Sequence, residues 1–296
     1  MKRIDIYVYK YCGVIIVTAS VLYYLSLEHL LKNGYSSSSV LVYRGLLTFS
    51  ITVLLSFKNK ERILPRNIHR QALRIFVSGI GLLLSFQSLK YVEATTASMV
   101  ARLDIPFAVI IGVLTGTQKK DFKIGLSIFA FCMVLSIFFF AGDIGEGVLG
   151  LTLCILSVML VSVSYMLIKK STGEENNFVI VNTTNIGCIA VGLISGIAFG
   201  NLSMIKVSDL WIFAIASVSQ FLLNYTMSII YRHRDLAQGQ RPYLTGVLVL
   251  LIIEQVWHWR VFDLHHSGII ILVIAVIYLI TLDKWPFKSN WLLKKA

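Results

Sequence analysis

The sequence predicts an all-α integral membrane protein in which ten transmembrane helices form two inverted five-helix repeats. Three observations carry that prediction: a composition too apolar for water, apolar windows of membrane length, and basic residues that collect on alternate loops. Of 296 residues, 56% are hydrophobic and 14% charged, against about 25% charged in an ordinary soluble domain. Four prolines and no Gly/Ser-rich run leave no linker, so a single membrane domain is expected.

A helix needs about 20 apolar residues to cross the roughly 30 Å hydrocarbon core. Windows of that length fall at 11–31, 38–57, 72–91, 95–117, 122–141, 148–168, 178–199, 209–231, 237–257 and 266–283. The stretches NGYSSSS, EATT, GDIGEG, STGEENN and RHRD separate them as turns. The windows are helices because, in lipid, each backbone amide needs a partner within its own segment. With ten crossings, one side collects Lys2, Arg3 and Lys10, the basic cluster from Lys58 to Arg74, Lys119, Lys120 and Lys123, Lys169 and Lys170, Arg232, Arg234 and Arg241, and the C-terminal lysines. The other side holds Lys32, Lys90, Lys206 and Arg260. Cytoplasmic loops carry the excess of Lys and Arg, which predicts that both termini are cytoplasmic. The leading MKRIDIYVYK has no small-residue cleavage site after it, so it is expected to stay as an anchor, in the inner membrane of a bacterium.

The net charge of +12 sits in short clusters between apolar runs. Lipid headgroups are therefore the expected partner, and nucleic acid is not. Cys12, Cys132, Cys154 and Cys188 all lie in apolar windows without metal-ligand spacing, which predicts reduced, packed thiols and no cofactor.

The chain also repeats itself. YVEATTASMVARLDIPFAVIIGVLTGTQKK puts Pro106 in the middle of the fourth window and Gln118 twelve residues on. DLAQGQRPYLTGVLVLLIIEQ does the same in the ninth with Pro242 and Glu254, 136 residues later. Five crossings per half is an odd number, so halves 1–144 and 145–296 must lie upside-down relative to each other. Inverted halves with interrupted central helices mark alternating-access carriers, with Pro106 and Pro242 as hinges. Membrane helices also hold prolines for no such reason.

These motifs resemble the drug/metabolite transporter superfamily in its ten-helix, EamA-like branch. The likeness runs through YRGLLTFSITVLL, LLLSFQSLKYVEATTASMVARLDIPFAVIIGVL, VSQFLLNYTMSIIY and RPYLTGVLVLLIIE, nearly the whole chain. It implies a secondary carrier whose cavity is lined by the third, fourth, eighth and ninth crossings. It also implies a glutamate closing both the fourth and the ninth; here the first copy is Gln118 and the second Glu254.

Ionisable groups at membrane depth are costly and normally face a cavity or one another. At 1.5 Å of rise per residue, Asp104 falls roughly 14 Å from the outer face, Arg102 roughly 10 Å and Arg44 roughly 9 Å. Asp104 is the leading candidate to bind a substrate ammonium or carry a proton. Two residues apart on a regular helix, Arg102 and Asp104 point to nearly opposite faces, and Pro106 leaves a carbonyl near residue 102 without its donor. Arg44 faces the cavity, ties helices together through carbonyls, or pairs with Glu28. Gln220 and Asn224 share one helical face; Gln87, Gln238 and Gln240 are further amides of that kind. Phe86, Phe107, Tyr225 and Tyr243 are candidates to stack on a planar or cationic ligand. Asp104, Glu28 and Glu254 are the candidates for proton coupling.

The expected function is a secondary carrier for a small polar metabolite, zwitterionic or aromatic and nucleoside-like. It would work by alternating access, with proton coupling or exchange. No GxxxxGK[ST] loop is present to hold ATP, so no enzymatic drive is expected. The alternative is a membrane-embedded enzyme with His258, Asp263, His265 and His266 of HWRVFDLHH as a metal site, although HExxH spacing is missing. Monomer and homodimer both remain open.

Overall fold

The computed structural model describes residues 3–114, 122–140, 146–233, 239–257 and 264–282. The regular structure among them is helical: α1 (Arg3–Lys10), α2 (Cys12–Lys32), α3 (Ser37–Asn59), α4 (Ile68–Ser88), α5 (Ala94–Ala101), α6 (Asp104–Leu114), α7 (Phe122–Phe140), α8 (Glu146–Ser171), α9 (Asn177–Ala198), α10 (Leu210–His233), α11 (Arg241–Trp257) and α12 (Leu264–Ile280), with one 3-10 turn at Val207–Asp209. Helices α2 to α12 fall on the apolar windows, the fourth being divided between α5 and α6. Helix α1 was not expected; it precedes the first window as a separate short element.

Six stretches are long and apolar enough to cross a membrane: α2, α3, Ala94–Ile111 of α5 and α6, Gly147–Ser171 of α8, α9, and Val207–His233 ending in α10. Lys123–Val134, Arg241–Ile253 and Ile270–Ile280 are shorter apolar helices. The chain is thus an all-α membrane fold.

Local signals set several boundaries. Ser36 caps α3, its hydroxyl accepting from the Ser39 amide at 3.0 Å, and Asn176 caps α9 by accepting from the Val179 amide at 2.8 Å. Each side chain satisfies a backbone donor that the first helical turn leaves without a partner.

Helix α4 packs on α8 and α9, α3 on α9 and α10, α2 on α10 and α11, α6 on α7 and α8, and α7 on α12. In lipid no hydrophobic drive holds helices together, so close approach and polar contacts must do so. The α4–α9 crossing uses both. A Cβ at Gly79 would sit 2.5 Å from the Gly187 carbonyl oxygen, and one at Gly187 would run into the Ile75 carbonyl. One turn away, Arg74 is fully buried. It donates to the Ile180 carbonyl, to Thr184 Oγ1 at 2.9 Å and to Gln71 Oε1 at 3.2 Å. Arg74 therefore is not one of the loop cations that the charge pattern suggested, but a cross-link inside the bundle.

Loops dock across the bundle at both ends. Tyr35 donates to Asp209 Oδ2 at 2.8 Å and accepts from the Lys206 amide at 2.9 Å. Elsewhere Asn176 donates to Glu61 Oε2 at 2.9 Å, and Glu175 Oε1 accepts from the Arg66 amide at 2.8 Å. Helix α1 lies against α10 and α2, and its Val8 and Tyr9 cover a small cluster of Phe178, Val181, Phe221, Tyr225 and Ile229.

Candidate functional site: a polar cavity at a helix break

The helix carrying Arg102, Asp104 and Pro106 is broken. The Arg102 amide bonds the Met99 carbonyl at 2.9 Å, Leu103 bonds Val100 at 3.0 Å and Ile105 bonds Arg102 at 3.2 Å, three tight turns in succession. The wider ladder resumes with Phe107 to Leu103 at 2.9 Å. Pro106 then sits in the first turn of α6, where a missing N–H costs little. Two expectations are corrected here. The Arg102 carbonyl is not free, because the tightened turn hands it the Ile105 amide. Arg102 and Asp104 do not diverge either: the extra winding brings Nη1 to 3.9 Å from Oδ2.

Pro242 is likewise the second residue of α11 and not a mid-helix kink. A tight turn encloses it, the Tyr243 amide bonding the Gln240 carbonyl at 3.0 Å. The two prolines therefore mark two helix starts at matching places.

Both breaks face a cavity of about 80 Å³ at the centre of the bundle. Its walls come from α2 (Tyr23, Tyr24), α4 (Leu82, Ser85), the α5–α6 break (Ala101, Arg102, Asp104), α8 (Ser157, Val158, Val161, Tyr165), α10 (Gln220, Leu223, Asn224) and α11 (Tyr243). Such a volume holds a few waters, well under the roughly 300 Å³ of the smallest usual metabolite pockets.

The charges in it are unequally served. Arg102 donates to Gln240 Oε1 at 3.1 Å and to the Ser98 carbonyl at 3.4 Å, and its guanidinium carbon lies 4.5 Å from the centroid of the Tyr243 ring. Gln240 is held in turn by donating to the Tyr231 hydroxyl at 2.8 Å. Asp104 is 2% exposed, and neither carboxylate oxygen has a hydrogen-bond partner among the described residues. The Asn224 amide nitrogen and the Tyr23 hydroxyl are unpartnered in the same way.

Of the residues singled out from sequence, Arg102, Asp104, Gln220, Asn224 and Tyr243 meet at this cavity. Gln240 stands one layer behind, fixing Arg102. Arg44 is also one layer back, its guanidinium carbon 5.7 Å from the Tyr23 ring and 5.2 Å from the Phe86 ring. Gln87 accepts from Ser37 at 3.1 Å, away from the cavity. Phe107 packs on Phe131 with ring centroids 5.7 Å apart, and Tyr225 stacks on Phe221 at 5.5 Å under α1. Glu28 does not pair with Arg44; Lys32, one turn along α2, takes it at 2.6 Å.

The side chains of Glu254, His265 and His266, and all of Gln118, Gln238, His258 and Asp263, lie outside the described residues. Among the described residues no group of three His, Cys, Asp or Glu could hold a metal. All four cysteines are free, with Cys132 exposed on α7, so it is not packed as expected.

Sequence reasoning missed Tyr23, Tyr24, Tyr165, Ser85 and Ser157. The signal available was weak: a Tyr-Tyr pair and a lone Tyr in the middle of long apolar windows, where tyrosine needs a hydroxyl partner. It also assigned the walls to four crossings, whereas α2 and α8 supply three of the four tyrosines that line the cavity.

No family model matches the chain, and no curated protein matches it. Solved structures do. One, described only as "Crystal structure of protein", superposes with a TM-score of 0.67 at 13% identity, covering 91% of this chain and 96% of that one. At that identity the likeness speaks for the fold alone.

Proposed function

We propose that the chain is a secondary carrier of the drug/metabolite transporter kind, not an enzyme. On this reading it makes ten crossings as two inverted five-helix repeats, with both termini cytoplasmic, and moves a small zwitterionic or aromatic polar metabolite by alternating access. The observation that carries the reading is the buried cavity in which Asp104 keeps both carboxylate oxygens unpartnered beside Arg102. A membrane chain bears such a cost where a solute or proton has to bind.

The packing supports the repeat. Exchange each helix for its counterpart five crossings on, and α4 on α8 becomes α10 on α2, α4 on α9 becomes α10 on α3, and α2 on α11 becomes α8 on α5 and α6. The contacts α3 on α9 and α7 on α12 map onto themselves. The cavity walls obey the same exchange, as do the two sets of docked loops. The small volume fits a closed stage of the cycle, which must widen to admit cargo.

The test is counterflow in proteoliposomes against a panel of amino acids, amines, nucleosides and carboxylates. Saturable uptake accelerated by solute preloaded inside is expected. Flux that rises linearly with gradient, or no flux of any class, would overturn the carrier reading.

A further inference from the structure

Arg44 is an anomaly that the cavity alone does not explain. It is 0% exposed on α3. The one hydrogen bond that its guanidinium makes among the described residues runs from Nη2 to Cys188 Sγ at 3.0 Å, while Nε and Nη1 have no partner. Among the described residues no carboxylate lies within ion-pair distance of Arg44, whereas Arg102 has Asp104. Two aromatic faces and a thiol offset only part of the desolvation of a guanidinium. Two donors left open in a low-dielectric interior call for an acceptor that the protein does not supply.

The position tells where that acceptor comes from. One wall of the central cavity is Tyr23, and the same ring lies 5.7 Å from the Arg44 guanidinium. The Tyr23 hydroxyl is itself buried without a partner. A single side chain thus stands between an unpaired cation and the chamber, and both groups on that line lack an acceptor.

We propose that Arg44, with Tyr23 and Cys188, forms an oxyanion subsite of the cavity that receives a carboxylate or phosphate group of the cargo once Tyr23 swings aside. This rests on the carrier reading, and it makes the cargo two-ended. A cationic group meets Asp104, and an oxyanion meets Arg44. The forked guanidinium suits either oxyanion through paired donors.

Cys188 supplies the probe. Purified wild-type protein in liposomes is treated with an anionic methanethiosulfonate (the ethylsulfonate) or a cationic one (the ethyltrimethylammonium), and labelling at each cysteine is read by peptide mass spectrometry. At Cys188 the anionic reagent is expected to outpace the cationic one by about tenfold more than it does at Cys154, as a local cation requires. Arg44→Gln removes that excess. Inorganic phosphate or acetate slows the labelling, and whichever acts identifies the oxyanion.

Equal rates for the two reagents, an excess that survives Arg44→Gln, no protection by either anion, or a Cys188 that never labels while Cys12 at the start of α2 does, would each overturn the subsite. Should Arg44→Gln fail to fold, charge preference and protection in the wild type decide the matter. Labelling needs no transport. Its failure with solute flux intact removes the subsite and keeps the carrier, and the reverse result keeps an anion site and removes the carrier.

Discussion

Asp104→Asn separates what the buried charge does for stability from what, on the carrier reading, it does for transport. At 3.9 Å and an effective dielectric near 20, the pair with Arg102 attracts by about 4 kcal/mol. Removing one member of a buried pair costs about 3–5 kcal/mol, because the other charge stays behind. Arg102 keeps Gln240, the Ser98 carbonyl and the Tyr243 ring, so the lower end, about 3 kcal/mol, is expected. For a chain of this length that lowers the midpoint of thermal unfolding by about 6 °C.

The double variant Arg102→Gln/Asp104→Asn leaves no charge unmatched. It should cost no more than Asp104→Asn alone, which, with about 3 kcal/mol for each single variant, is a coupling of about 3 kcal/mol in the double-mutant cycle. Solute counterflow should be lost in both the single and the double variant. A coupling near zero, or flux undiminished in Asp104→Asn, would refute the reasoning.

Other outcomes follow from the same geometry. Gly187→Ala drives a methyl into the Ile75 carbonyl with only backbone to yield; a loss of about 3 kcal/mol is expected, read as reduced monodisperse yield and a lower unfolding midpoint, and an unchanged midpoint would show that α4 and α9 can part freely. Glu28→Gln breaks an i, i+4 pair whose lysine is 59% exposed, so stability should change by less than about 0.5 kcal/mol. The pH profile of flux should not move; a shifted profile would make Glu28 a coupling group. Tyr35→Phe loses the bonds to Asp209 and from Lys206, an expected cost of about 1–2 kcal/mol, visible as faster hydrogen exchange at the Lys206 amide.

The helices were legible because lipid permits few alternatives: a window of twenty apolar residues has to satisfy its own amides. The site was legible as far as cost reveals it. Arg102, Asp104, Gln220 and Asn224 stand out because polar groups at that depth are expensive, and all four line the cavity. Tyr23, Tyr24 and Tyr165 did not stand out, since tyrosine passes as interface or core residue in any membrane helix.

Partners were harder still. Whether Arg102 meets Asp104 turns on three tight turns before Pro106, and side-chain periodicity assumes a regular helix. Arg74 was counted with the basic residues of one side because it lies at the very start of its window, where one turn decides between solvent and the α4–α9 crossing.

The two helix breaks are not chemically equal, and that inequality bears on mechanism. Asp104 and Gln240 stand 136 residues apart, the same interval as Pro106 and Pro242. Arg102 touches both, by charge at 3.9 Å and by hydrogen bond at 3.1 Å. On the two-repeat reading Arg102 and Asp104 belong to one half and move together, whereas the bond to Gln240 crosses to the other. Rocking the halves apart would therefore leave the ion pair whole and break only neutral contacts, a hydrogen bond to the Gln240 amide worth about 1.5–3 kcal/mol to a charged donor and the Tyr243 ring face. A carboxylate at position 240 would make that bond a second buried ion pair and bind the halves more tightly. On the carrier reading, a neutral counterpart to Asp104 would let an arginine sit at the seam and still release it.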